Sequence, residues 1–198
     1  LVYKENKVLR EKVKDLETKD YNSEFILAEN ERLKETLNEL NFSSTEILAK
    51  VIVDKQSPFL KSIIVNKGSK HGAELGMAVL DKEYLVGKIV ELNFTTSRVL
   101  LLSDLNSKIP VDILPNNIQS ILSGTGKENG KIQYVKEETL IENENKVFTS
   151  GAGGIFKPGI PIGEIDKKLS NLDINVSFFS DFSQLRFVKL RSFSSEEN

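Results

Sequence analysis

Two hydrophobic rhythms divide the chain. Over residues 1–43 apolar side chains recur three and four positions apart: Val2, Leu9, Val13 and Leu16, then Ile26, Leu33, Leu37 and Leu40. That spacing sets them on one stripe of an α-helix, as in a coiled-coil seam. The segment holds no Gly or Pro, and Lys and Glu crowd its other positions. Asn6 and Asn30 fall on the seam, Asp20 and Ser23 interrupt it, and its phase slips near Asn30. A three-residue slip overwinds a coiled coil, and a seam Asn gives up stability while fixing register and oligomer state. At ~1.5 Å per residue the helix would run roughly 60 Å. A polar helix of that length is marginal unless its stripe is buried against something. Residues 1–43 are therefore expected to form a coiled coil that dimerises the chain through Leu9, Val13, Leu16, Leu33, Leu37 and Leu40.

From Ile47 onward the period shortens. "ILAKVIV", "LKSIIVN", "MAVLD", "YLVGKIVEL", "SRVLLL", "KIPVDIL", "KIQYV", "KVFTSG", "INVSFF" and "LRFVKL" are short β-rich segments separated by Gly, Asn, Asp and Pro. Many short strands with regular turn signals predict barrels or a sandwich, and the lack of a second helical pattern argues against βαβ units. The expected fold is mainly β: a coiled-coil helix (1–43), then two small β-barrels. The first covers 44–114, with room for part of the C-terminus to return to it. The second covers 115–195 with the C-terminal strands. "SGTGKENGK" (123–131) reads as a hairpin loop and "EETLIENENK" (137–146) as an exposed polar connection. "GAGGIFKPGIPIG" (151–163) reads as a connection across a barrel end. Gly151, Gly153, Gly154, Gly159 and Gly163 would permit positive φ and close backbone approach there, while Ile155, Phe156, Ile160 and Ile162 would supply core.

Composition narrows the chemistry. The 198-residue chain carries a formal net charge of −2, with none of the basic excess that marks a nucleic-acid footprint. Cysteine is absent and His71 is the one histidine, so disulfides, thiol nucleophiles and multi-imidazole metal sites are excluded. No metal or cofactor is expected. No run reaches the ~18–20 apolar residues of a membrane helix. The chain opens on Leu1-Val2-Tyr3 rather than on methionine, which reads as an excerpt of a longer protein.

Two β-barrels with His71, Asp104 and Ser150 in that order invite a chymotrypsin-type reading, since "TSGAGG" loosely echoes a glycine-flanked nucleophile. The mechanism needs Ser, His and a buried carboxylate in one hydrogen-bonded line. His71 instead sits in a polar glycine turn, Asp104 reads as a strand-ending turn residue, and Thr149 stands where an acid would precede the serine. A serine hydrolase is thus a minor alternative. "GAGG" also fails as a phosphate cradle, because no third glycine, no Lys-Ser/Thr pair and no helix follows.

"TSGAGGIFKPGIPIGEI" resembles the glycine-rich C-terminal signature of the rod shape-determining protein MreC family. "FLKSIIVNKGSKHGAELGMAVLDKEYLVGKIVELNFTTSRVLLLSDLNSKIPV" is similar to the same family in its order of motifs, and a coiled coil precedes it there too. The resemblance implies a non-catalytic scaffold of the bacterial cell-elongation, peptidoglycan-synthesising machinery. It implies a chymotrypsin-like barrel pair without a catalytic triad, at the periplasmic face of the inner membrane, on a single-pass anchor preceding Leu1. Implied partners are a second copy of the chain in a homodimer or filament, a penicillin-binding transpeptidase, other elongation-machinery membrane proteins and the actin-like filament. Phe178, Phe179 and Phe182, close together in "INVSFFSDF", are the expected partner interface. Strand alternation sets Phe178 and Phe179 on opposite faces. A periplasmic adaptor of an export pump, which "GSKHGAELGMAVL" loosely resembles, is the other alternative. Such an adaptor needs a helical hairpin between the halves of that domain.

Overall fold

The computed structural model describes residues 10, 12–13, 23–32, 46–56, 61–135, 141–167 and 173–193, without the side chains of 53–56. Residues 10, 12, 13 and 23–32 are helical. Along the helix Arg32 donates to Glu29 at 2.8 Å, one turn away. Of the expected seam, Val13 is described and is 53% exposed. Leu9, Leu16, Leu33, Leu37 and Leu40 lie outside the described residues. Phe25, Ile26 and Leu27 are also exposed.

Residues 46–193 form a unit of their own, built of strands. They are β1 (Glu46–Gln56), β2 (Lys61–Val65), β3 (Ala78–Asp81), β4 (Tyr84–Leu92), β5 (Ser97–Leu101), β6 (Lys108–Leu114), β7 (Ile118–Gly124), β8 (Asn129–Gln133), β9 (Lys146–Thr149), β10 (Pro161–Asp166), β11 (Asn175–Phe178) and β12 (Phe187–Arg191). They close into two six-stranded barrels. Round barrel I the order is β12-β1-β2-β5-β4-β3, and round barrel II it is β6-β7-β8-β11-β10-β9. Closure pairs every strand on both sides and leaves no free edge.

The partition differs from the expected one at 114/115. β6 pairs with β7 and β9, so barrel II begins at Lys108. Pro115, Asn116 and Asn117 look like a domain break but form the turn of the β6–β7 hairpin, with Asn117 at φ 51°. β12 lies between β1 and β3 in barrel I, far from both in sequence. Two strands escaped the sequence pattern. β7 carries serines and a glycine, and β10 runs through the stretch expected to be a connection. "SGTGKENGK" does close a hairpin, between β7 and β8. In "EETLIENENK", Ile141 is fully buried rather than exposed, because it packs into the core of barrel II. Residues 137–140 of that connection lie outside the described residues.

Alternation along each strand builds the cores. Val79 points into barrel I with Ala49, Ile63, Val65, Ile89, Val99, Val188 and Leu190. Its neighbours Ala78 and Leu80 point the other way, and with Leu85 and Leu102 they join the cluster of barrel II. That second cluster includes Ile109, Val111, Ile113, Val147, Ile162, Ile165 and Val176. The barrels therefore share a continuous apolar seam, and at ~1.5–3 kcal/mol per fully buried aliphatic side chain it holds them as one head.

Candidate functional site

The glycine-rich stretch builds a turn. Gly151, Gly153, Gly154 and Gly159 all have φ between 65° and 86°, the left-handed region that side chains resist. Thr149 knots the turn at its base. Its Oγ1 donates to the Lys157 carbonyl at 2.6 Å and accepts the Ile160 N–H at 2.9 Å. Phe156, Ile160 and Ile162 are buried as expected, whereas Ile155 at the tip is exposed. Gly163 sits inside β10 and serves close approach: a Cβ there would lie 2.2 Å from the Ser177 carbonyl oxygen.

Ser150 and His71 are spent on their own turns, and Asp104 on its own turn and on the start of β2. Ser150 Oγ accepts the Ala152 N–H at 3.2 Å. His71 Nδ1 accepts the Gly68 N–H at 3.1 Å, and desolvation with Lys67 and Lys70 nearby holds its pKa below the ordinary histidine value. Asp104 is buried. Its Oδ1 accepts from the Asn106 N–H and side-chain amide at 2.7 and 3.0 Å, and its Oδ2 accepts the Lys61 N–H at 2.7 Å. Among the described residues no hydrogen bond joins any two of the three.

Matching the barrels strand for strand exposes a repeat that sequence reading missed. In ring order the fourth and fifth strands are β5 and β4 in barrel I and β11 and β10 in barrel II. Val86-Gly87-Lys88-Ile89 then falls on Ile162-Gly163-Glu164-Ile165. A Cβ at Gly87 would lie 2.2 Å from the Leu100 carbonyl oxygen, the same approach as at Gly163. Leu101-Leu102-Ser103-Asp104 falls on Phe178-Phe179-Ser180-Asp181. The Leu102 N–H donates to the Val86 carbonyl, and the Phe179 N–H donates to the Ile162 carbonyl. Both aspartates cap the turn that follows, Asp104 at Asn106 and Asp181 at Ser183. The signal was present as "VLLLSD" and "VSFFSD".

The expected interface phenylalanines lie on this repeat. All three are half-buried. Phe178 stacks on Phe182 with ring centroids 4.9 Å apart. Phe179 meets Tyr84 at 5.1 Å, and Lys146 Nζ stands 5.4 Å from its ring centre. Beside them a cleft of ≈ 320 Å³ opens between the barrels. Lys61, Leu101 and Ser103 from barrel I line it, as do Lys127, Ser180 and Asp181 from barrel II. Asp181 accepts the N–H and hydroxyl of Ser183, which lower its pKa below the ordinary carboxylate value. Elsewhere on the head, Leu48, Ile52 and Phe187 are exposed on β1 and β12.

A family model described as "Rod shape-determining protein MreC, barrel core" matches residues 51–191. The cell shape-determining protein MreC of Cereibacter sphaeroides is 30% identical over 195 residues, covering 96% of this chain and 63% of that protein. Its Haemophilus influenzae counterpart is 34% identical over 163 residues, covering 81% and 46%. The chain thus spans less than two thirds of the length of these relatives. Among solved structures, MreC from Pseudomonas aeruginosa superposes with a TM-score of 0.67 at 29% identity, covering 74% of this chain and 98% of that one. Listeria monocytogenes MreC gives 0.73 at 25% identity over 98% of each. A complex of Penicillin-Binding Protein (PBP2) and MreC from Helicobacter pylori shares the fold with a TM-score of 0.56 at 16% identity, covering 78% and 100%.

Proposed function

The chain belongs to the MreC family of rod shape-determining proteins, and from that premise we propose that it is a non-catalytic periplasmic scaffold of the cell-elongation machinery. In this reading residues 1–43 pair two copies, and the barrel head holds a penicillin-binding transpeptidase against them. The observation that carries it is the fate of the polar candidates. The His71 ring nitrogen and the Ser150 hydroxyl are each committed to a backbone N–H of their own turns, and the Asp104 carboxylate to the N–H groups of Asn106 and of Lys61 on β2, which suits a head that holds rather than transforms. The chymotrypsin-type reading of the barrel pair is supported by the strand order the two barrels share. The partner reading is supported by the solved complex of Penicillin-Binding Protein (PBP2) with MreC from Helicobacter pylori.

Membrane anchorage ahead of Leu1, and links to the actin-like filament and to other elongation-machinery membrane proteins, complete the proposal. Two experiments test it. Replacing Leu33 and Leu37 by Asp should give monomers in sedimentation equilibrium, and a persistent dimer would refute the seam. A photo-crosslinker at position 179 should trap the transpeptidase or a second copy in cells. Recovery of neither would remove Phe178, Phe179 and Phe182 from the interface.

A further inference from the structure

The repeat places equivalent groups on the two sides of the cleft but completes only one of them. In barrel I the Asp104 carboxylate receives the N–H of Lys61, the first residue of β2. β8 holds the matching place in barrel II, and Glu128, one residue before the Asn129–Ser177 pair, holds the register position that Lys61 holds one residue before the Ser62–Leu100 pair. β8 opens at Asn129, one residue later than β2 on this matching, and Asp181 Oδ1 accepts from the N–H and hydroxyl of Ser183. Ser180 beside it is buried, and its Oγ makes no hydrogen bond among the described residues. A buried hydroxyl left in that state is costly. The cleft wall thus carries an anionic acceptor and an unspent hydroxyl where the sister barrel has a backbone donor.

The rest of the lining narrows what fits. The stacked Phe178 and Phe182 rings offer an apolar floor. Lys61, Lys127 and Glu128 supply the rest of its charged lining beside Asp181. Among the described residues no arginine lines the cleft, so they offer no bidentate fork of the kind that favours phosphate. At ≈ 320 Å³ the volume lies at the low end of ligand pockets and suits two or three residues of extended chain.

We propose that this cleft receives a short extended segment of a partner protein. One backbone N–H of the segment takes, opposite Asp181, the place that Lys61 N–H takes opposite Asp104. An apolar side chain rests on Phe178 and Phe182, and a neighbouring carboxylate turns to Lys61 and Lys127. The idea deepens the scaffold reading by naming the chemistry of a docked segment.

The test is an NMR titration of the full 198-residue chain with Ac-Leu-Glu-NH2. Ac-Leu-Gln-NH2 and acetate serve as controls. Binding should be weak, with Kd on the order of 1 mM, and should move the amides of Lys61, Lys127 and 177–183. The Gln peptide and acetate should each bind about tenfold more weakly. Lys61→Gln with Lys127→Gln should erase the preference for Glu over Gln, and Asp181→Asn should weaken both peptides about tenfold. Shifts confined to other surfaces, equal binding of the Glu and Gln peptides, or indifference to Asp181→Asn in a folded protein would each overturn the proposal. A head that crosslinks to the transpeptidase through position 179 yet ignores these peptides would keep the scaffold reading and sink this one.

Discussion

Barrel II is threaded from one stretch of chain, β6 to β11, whereas barrel I borrows its first strand from the far end. Read in ring order the two are the same object, with β12 standing where β6 stands. They differ in how that strand is held. Around β12, Lys189 bridges Glu46 and Glu83 at 3.2 and 3.0 Å, and Arg191 bridges Glu46 at 2.6 Å. In barrel II the ion pairs among the described residues include Lys146 with Glu164, between β9 and β10, and Lys131 on β8 with Asp173 ahead of β11. A fold can therefore keep its ring of hydrogen bonds and its core while its chain order is rearranged, provided the displaced strand is recaptured by pairing, burial and charge.

The largest effect expected follows from removing that strand. A chain ending at Arg186 loses the two ladders of β12 and buried Val188 and Leu190, so cooperative thermal unfolding of the head should disappear. Grafting residues 187–193 ahead of Glu46 through a short Gly/Ser linker should restore it, since ring order and not chain order is what packing requires. A truncated chain that melts like the intact one would break the comparison.

Next in size are the paired glycines. Gly87→Ala and Gly163→Ala each drive a Cβ into a neighbouring strand's carbonyl and should each cost about 3 kcal/mol in urea unfolding. Near-equal losses support equivalence, and tolerance at one site alone counts against it. The capping aspartates should differ instead. Asp104→Asn leaves a buried donor set poorly matched and should cost about 1–3 kcal/mol, while exposed Asp181→Asn should barely move the transition.

The smallest effect concerns the charges on β12. Hydrogen bonds from Arg191 and Lys189 lower the Glu46 pKa, and Lys189 chiefly lowers that of Glu83. Glu83 and Glu46 in turn raise the pKa of Lys189. Depressed carboxylates lend stability that is complete above their ordinary range and is lost as pH falls through the folded pKa. A raised lysine lends stability that is complete below its ordinary value and is lost as pH climbs through the folded one. The clamp should thus be whole between roughly pH 5 and pH 9 and weaken on either side. Glu46→Gln should cost under about 1 kcal/mol at neutral pH, and should flatten the acid limb of the melting profile.

Most strands were legible because Val, Ile and Leu alternate with polar residues between clear turns, as β4 and β6 show. β10 was not, since Gly163 reads as a turn residue when its task is to let β11 approach. The partner of β12 was not legible either, because no local pattern reports pairing with strands a hundred residues upstream. The repeat was hidden for a related reason. Its copies share a glycine, a valine and a Ser-Asp turn while the side chains between them diverge, Leu101-Leu102 against Phe178-Phe179. The three phenylalanines were singled out by their closeness in the sequence, but their neighbour Ser180 became visible only when its hydroxyl was seen buried without a hydrogen-bond partner among the described residues.

The proposed division of labour between residues 1–43 and the barrels is tested most directly by a pull-down from inner-membrane extract, using the chain with and without residues 1–43. Both forms should retain the penicillin-binding transpeptidase, and only the longer one should retain a second copy of itself. Loss of the transpeptidase from both, or self-association that survives removal of residues 1–43, would contradict the account.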